Sequence, residues 1–485
     1  MLGFHVGHIS CPKKEIVHDT EYWLQQVNRA SVVANLGMGL LDRETAIMIR
    51  EALNEIRRES DSGEVRRSDL YIEFEPKLLK LCGNHASVLH AGRSSQDILA
   101  TCNAALNRER LLMVAYSVIG LCHDLIETAR RESDAVVPAY TNGVQAQPTL
   151  YSHYLLAHVE VFSRDIERLI ECWQRHDVCP MGSCVCTGTG WPLDTARMAK
   201  LLGFKKTADN AFDAGQCRGN DFPLEMSQII ASIMLHVNAF LADFMQQYAQ
   251  TKPWIQSLDK NGVYHSSSMP QKRNPGLIND CRRDAGLVIS SAQSVMVRMQ
   301  NLPLGMADVR DAWMMQALTE DSAIVIETFA GIIRSLQVDR ERARDELMSE
   351  WTCSQEIADT LMRQAGIDFR TGHGFASEFV TQARSKGWTP KNVEYEDFCR
   401  VWASYSLKHN LDPTFPLDEE TIRSATIPEL ILSNRRTFGS ASPLMIDEQI
   451  ENCAKTIAQF SDWISKTIEE QEDTATQLEA ELASI

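Results

Sequence analysis

The run His265-Ser-Ser-Ser-Met-Pro-Gln-Lys-Arg-Asn-Pro275 brings three hydroxyls, a lysine and an asparagine into one short stretch. Its two prolines and the nearby Gly262 are expected to keep it out of regular structure. A serine in such a loop can take a proton when its surroundings favour the alkoxide. Lys272 and adjacent backbone N–H groups could then hold a carboxylate or a developing oxyanion. The same composition also suits a polar surface turn with no chemistry. The order of the residues, S-S-x-M-P-x-K-x-N-P, is therefore more informative than their types.

Three more polar clusters stand between apolar segments. They are Arg93-Ser-Ser-Gln-Asp97, then Tyr140-Thr-Asn-Gly143 with Gln145-Ala-Gln-Pro148, and a Gly-, Ser-, Thr- and Cys-rich stretch from Gly182 to Pro192. The Gly-Thr-Gly in that stretch follows no strand pattern and is not a dinucleotide fingerprint. No phosphate-binding Walker loop, H-E-x-x-H or G-x-S-x-G occurs.

The elements that must position these clusters read as helices. Leu155, Val159, Phe162, Ile166 and Leu169 recur at steps of three and four, with Asp165, Glu167 and Arg168 on other faces. Leu224 to Gln250 carries a wider apolar band, and further segments run from Gly286 to Met299 and from Ala317 to Leu336. Such helices suit an elongated bundle, with the wide band covered by this chain or by a partner. Ile446, Ile450, Ala454, Ile457, Phe460, Ile464 and Ile468 mark one more helix, and the acidic tail after Glu469 is expected to fray. The organisation expected is an N-terminal helical unit over 1–105, a long-helix unit over 106–352 and a C-terminal helical unit over 353–485.

Composition sets the outer limits. At 485 residues, with 44% hydrophobic and 23% charged residues, the chain is an ordinary globular protein with room for two or three domains. Its 48 basic and 65 acidic residues leave a net charge of −17, which disfavours nucleic-acid and anionic-membrane partners. The 13 cysteines show no C-x-x-C pair and no zinc or iron–sulfur spacing, so they read as small core residues in a reducing cytosol. No signal peptide and no apolar run of membrane length is evident, and a cytoplasmic location is expected.

Taken in order, the clusters resemble the three signature regions of the fumarase/aspartase superfamily. Its argininosuccinate lyase branch is the most similar. The first region is Arg93-Ser-Ser-Gln-Asp97, the second Tyr140 to Pro148 with Ser152-His-Tyr and Arg164-Asp-Ile-Glu-Arg-Leu169, and the third the Ser266 loop. Pro180-Met-Gly-Ser183, Asn210-Ala-Phe-Asp-Ala214, Phe369-Arg370 with His373, and Thr437 to Ala441 also fall in family order. The resemblance implies a mainly α, three-domain subunit and a homotetramer whose central helices form a shared bundle. Each active site would draw one signature region from each of three subunits. It implies no metal or organic cofactor and a small dicarboxylate or amino-acid substrate.

By the same resemblance Ser266 is the base that removes a proton next to a carboxylate. Lys272, Asn274 and loop N–H groups would stabilise the resulting dianion. Ser94, Ser95, Gln96, Thr141, Gln147, Ser267 and Met269 are the expected substrate contacts, with Gln147 reading equally well as a buried residue that packs a loop. Departures from the family point to a leaving amine other than arginine. Ser95-Gln96 stand where argininosuccinate lyases have Arg-Asn, Asn142 replaces a histidine, and Tyr71 stands where another histidine falls. His265 replaces the Gly that begins the loop signature, and Arg29 replaces a serine. Met306, Asp311 and Met314 fall where the family has substrate-holding Tyr, Gln and Lys. His265 is a candidate general acid, with a solvent-facing loop residue as its alternative. Arg29 or Arg310 is a candidate for an extra carboxylate, against a role on a solvated helix face. Three functions are consistent with this pattern: a lyase releasing fumarate from an N-substituted aspartate, a C–O lyase or cycloisomerase on the same fold, and a catalytically silent relative.

Overall fold

The computed structural model describes residues 17–257, 262–304 and 313–485. Helices dominate it. Thr20–Gly37 (α1), Arg43–Ser62 (α2) and Tyr71–Cys82 (α3) form an N-terminal layer, from which Ser95–Arg131 (α4) extends. A hairpin of Val136–Thr141 (β1) and Val144–Leu150 (β2) returns the chain into Tyr151–His176 (α5). Val178–Cys179 (β3) pairs in parallel with Lys206–Thr207 (β4), with Thr195–Leu201 (α6) between them. Arg218–Tyr248 (α7), Gly276–Met299 (α8) and Trp313–Ser335 (α9) complete the long helices expected from the periodicity. Ile255–Ser257 (β5) pairs with Leu336–Val338 (β8), and Val263–His265 (β6) with Arg273–Pro275 (β7). The remaining helices are Arg340–Leu347 (α10), Ser354–Ala365 (α11), Phe369–Lys386 (α12), Tyr395–His409 (α13), Glu419–Ser424 (α14), Pro428–Ser433 (α15) and Pro443–Ala483 (α16).

Three buried clusters hold these elements. The central one joins α4, α5, α7, α8, α9 and the first two-thirds of α16. The N-terminal one joins α1–α3 to the start of α4, to residues around Cys179 and Leu201, and to Leu478 and Leu482. The third packs Trp351, Phe375, Phe379, Phe398 and Trp402. The expected border at residue 105 falls inside α4, which feeds two clusters. The stretch 353–485 divides between its own cluster and α16, which lies along the other two.

Two expectations are corrected. The acidic tail does not fray: α16 continues to Ala483, because Leu478 and Leu482 are buried and Glu479 lies between Arg29 (3.0 Å) and Arg57 (2.9 Å). Two helical stretches, Ser95–Arg131 and Asp213–Tyr248, are long and apolar enough to cross a membrane, though no such run was expected. The first is mostly buried in the core. The apolar window of the second is 44% buried, which leaves an uncovered apolar face. Leu235, Leu287, Met296, Val297 and Ile324 extend that exposed surface along α7, α8 and α9. Such a face marks an interaction surface more often than an accident.

Candidate active site

The Ser94 cluster forms the N-terminus of α4. Ser94 is the N-cap: its hydroxyl accepts from Gln96 N at 3.2 Å, while its own N–H donates to Asp97 Oδ1 at 2.7 Å, closing a capping box. The other carboxylate oxygen of Asp97 accepts from Gly182 N (3.2 Å) and Cys184 N (3.1 Å). One buried side chain thus ties the helix start to the Gly182–Pro192 loop. Burial raises the Asp97 carboxyl to about 6, offset in part by those N–H groups and by Arg93. Arg93 is buried and donates to Ser31 (2.8 Å), Asn28 (3.0 Å) and Tyr71 (3.1 Å). Gln96 Nε2 reaches Gly215 O at 3.4 Å. Gly215 must be glycine, since a Cβ there would meet Val185 O at 2.3 Å. Ser95 is half-buried in the first turn of α4.

The second cluster is the β1–β2 hairpin. Asn142 (φ 53°) and Gly143 (φ 76°) form its two-residue turn, in the left-handed conformations that Asn-Gly supplies for a twisted hairpin. Thr141 and Asn142 are exposed at the tip. Gln147 lies further back, with its side-chain amide on Gln355 Oε1 at 2.5 Å.

The Ser266 segment is also a hairpin, which corrects the expectation of irregular structure. Val263, Tyr264 and His265 pair with Pro275, Asn274 and Arg273. Pro275 can occupy the outer position of such a narrow ladder, where its missing N–H costs little. Ser266 to Lys272 make the connecting loop, closed by Lys272 N donating to Met269 O at 3.0 Å. Ser266 Oγ accepts from Met269 N (3.2 Å) and Ser268 N (3.4 Å). Two N–H dipoles directed at that oxygen favour negative charge on it. Ser267, Met269 and Lys272 are exposed, and among the described residues no carboxylate pairs with the Lys272 ammonium. Asn274 Nδ2 donates to Tyr264 O at 3.2 Å, and His265 Nδ1 faces Arg273 Nη1 at 2.6 Å.

Within one chain these clusters lie at two ends of the bundle. The helical rise puts the ends of α4 about 50 Å apart. Ser94 is at one end, and the Thr141 hairpin follows the other. The Ser266 hairpin shares the Thr141 end. Tyr248, closing α7, donates to Arg273 O at 3.2 Å, and Gly143 lies beside Gln246 two residues earlier. Arg29 joins none of these clusters; it is buried against Glu479 and Asn54. Tyr71 lies behind Arg93, its ring stacked on His90 at 5.2 Å. Met314 packs at the far end of α8, its sulfur 3.2 Å from Arg298 Nη1. Met306, Arg310 and Asp311 lie outside the described residues.

The family model described as Lyase matches residues 8–289. An argininosuccinate lyase of Methanococcoides burtonii is 28% identical over 98% of this chain and 96% of its own length. That of Alteromonas mediterranea is 31% identical over 78% of this chain and 83% of its own. A crystal structure of EDDS lyase in complex with formate superposes with a TM-score of 0.85 at 22% identity, covering 96% of this chain and 91% of that one.

The chain belongs to the fumarase/aspartase superfamily, close to argininosuccinate lyase.

Two features of this superfamily member were missed in the sequence. Asp97 looked like the last letter of a motif, yet it is the acceptor that fixes Ser94; the S-x-x-D spacing of a capping box was the available signal. Cys172, His176 and Glu225 come together on facing helices. The Cys-x-x-x-His spacing is too short and common to signal this alone, and the third residue is far along the chain.

Proposed function

We propose that this protein is a carbon–nitrogen lyase that removes an amine from an N-substituted aspartate and releases fumarate, in a reaction that also runs in reverse. The observation that carries this reading is the Ser266 loop. Its serine oxygen already accepts two backbone N–H groups, and Lys272 stands at the loop's other end. Ser266 takes the proton from the carbon beside a carboxylate. Lys272, Asn274 and loop N–H groups stabilise the dianionic intermediate, in which charge spreads into that carboxylate. The C–N bond then breaks, and a proton goes to the departing nitrogen. Ser94, Ser95, Gln96 and Thr141 hold the carboxylates, and His265 is the proposed acid.

The site is completed by assembly. One chain separates Ser94 from the Ser266 hairpin by the length of the bundle, so an antiparallel partner can bring its own Ser94 end alongside. The exposed apolar faces of α7, α8 and α9 supply the surface for this. The assembled state is a homotetramer with these helices at its centre. The leaving amine differs from arginine, in keeping with Asn142 and Ser95-Gln96. The test combines light scattering on the purified protein with a screen of amines against fumarate, reading adducts by mass. A tetramer that forms one N-succinyl adduct is expected. A stable monomer, or no adduct and no fumarate release with any amine or N-substituted aspartate, overturns the reading.

A further inference from the structure

At the Ser94 end of the bundle, the C-terminal turn of α5 faces the second turn of α7. Cys172 and His176 are four residues apart on α5 and so share one face. Glu225 approaches from α7, and the three donor atoms lie within 4.8 Å of one another. His176 Nε2 is 3.0 Å from Glu225 Oε2. Cys172 and His176 are buried. Arg175 donates to the other carboxylate oxygen, Glu225 Oε1, at 3.0 Å, and so orients the carboxylate while leaving Oε2 towards the histidine. That is the arrangement in which an outer partner fixes a ligating group. His176 and Phe222 also line a cavity with Val178, Ala214 and Arg218, which brings solvent up to one side of the histidine.

We propose that Cys172, His176 and Glu225 form a zinc-binding site that fastens the end of α5 to the start of α7. Thiolate, imidazole and carboxylate together match zinc rather than calcium or magnesium, which take oxygen ligands. Tetrahedral bond lengths put neighbouring ligand atoms about 3.3–3.7 Å apart. The donors reach that spacing by rotamer adjustments. The histidine–carboxylate pair opens slightly and the thiol closes in. On binding, the Cys172 proton leaves to solvent, and the thiolate and carboxylate charges balance the ion. A water takes the fourth position. The site lies at the far end of the bundle from its own chain's Ser266 loop and takes no part in the proton abstraction proposed above.

The experiment uses the assembled full-length protein, stripped with a chelator and titrated with Co²⁺ alone. One equivalent per chain should give a thiolate-to-metal charge-transfer band and the visible bands of a tetrahedral ion. Zn²⁺ should displace it, and saturating Zn²⁺ should raise the melting temperature. Cys172→Ser should abolish the charge-transfer band, and Cys399→Ser, in the separate C-terminal cluster, should leave it intact. Glu225→Gln tests the site should Cys172→Ser fail to fold: it should keep the band but weaken Co²⁺ affinity about tenfold or more. No thiolate band at millimolar Co²⁺ overturns the proposal. So does a band that survives in folded Cys172→Ser, or affinity unchanged in Glu225→Gln.

Discussion

The Ser94 end of α4 and the Ser266 hairpin are both polar signature regions, yet they are built in opposite ways. At the Ser94 end the positioning groups are buried and committed. Arg93 has three partners, and Asp97 accepts three backbone N–H groups. The Ser266 hairpin is short and mostly exposed, and it is held by a narrow ladder and one hydroxyl from Tyr248. The first region is finished when the chain folds. The second holds Ser266 half-buried and the Lys272 ammonium exposed. Under the proposed function this difference is a division of labour, with the committed Ser94 end holding carboxylates and the exposed hairpin abstracting the proton once a partner and a substrate confine it. A loop that closes on its substrate also excludes water, which strengthens each electrostatic contact inside.

The sharpest test of that division is Ser266→Ala. It should lower turnover by about 10²–10⁴-fold or more, with the assembly and melting temperature nearly unchanged, since among the described residues the side chain makes two long hydrogen bonds. Steady-state kinetics with light scattering would check this. Near-normal turnover would remove Ser266 as base, whereas dissociated subunits would show the hairpin to be structural. Lys272→Ala should differ in kind. A cation facing a dianion acts in both the ground and transition states, so both binding and turnover should weaken.

Asp97→Ala should show the opposite profile. It strips the acceptor from three backbone N–H groups, one from Ser94 and two from the adjoining loop. A stability loss of about 3 kcal/mol is expected, with kcat/KM falling because Ser94 to Gln96 lose their frame. The wild-type protein adds a pH signature. The folded Asp97 carboxyl sits at about 6, above its ordinary 3.8, so the folded state holds this proton more tightly than the unfolded chain does. Its contribution is complete below 3.8 and is lost as pH rises through about 6. Urea melts across that window should show the slope in the wild type and not in Asp97→Ala. An unchanged slope would assign it to another group.

Much of this was legible in the sequence because the signals are local. The long helices announce themselves by apolar recurrence, and the three signature regions by the order of a few residues. The unread parts depend on distant partners. The tail after Glu469 looks like a fraying acidic end until Arg29, Arg57 and Arg197 are brought against it by α1, α2 and α6. Arg29 reads as a carboxylate receptor for the same reason: its partner Glu479 is 450 residues away. The Asn142-Gly143 turn is a different failure. The dipeptide is a strong hairpin signal, but its flanks, with Pro138 and two Gln residues, do not alternate cleanly, and the bulge at Ala139–Tyr140 breaks the pattern further.

The smallest effects bear on the open side of the comparison. Ser267→Ala and Ser268→Ala both retain the backbone N–H groups that hold the Ser266 oxygen, so Ser268→Ala should be mild, and Ser267→Ala intermediate because Ser267 is an expected substrate contact. Asn142→His puts back the histidine that the resemblance to argininosuccinate lyases leads one to expect at this turn. The position has φ 53°, which histidine tolerates better than most residues but less well than asparagine. A small stability cost is therefore expected. Among the described residues the exposed turn has no buried partner to lose, so the new imidazole should fold into place. If the leaving amine is set elsewhere, at Ser95-Gln96 and along the α4 end, the variant should gain no argininosuccinate cleavage. Appearance of that activity in Asn142→His, assayed by fumarate release, would move specificity from the rigid end of α4 to the hairpin tip. Strong cleavage of argininosuccinate by the unaltered protein would go further, showing that neither departure redirects the substrate and that the hairpin's remaining residues suffice for the family reaction.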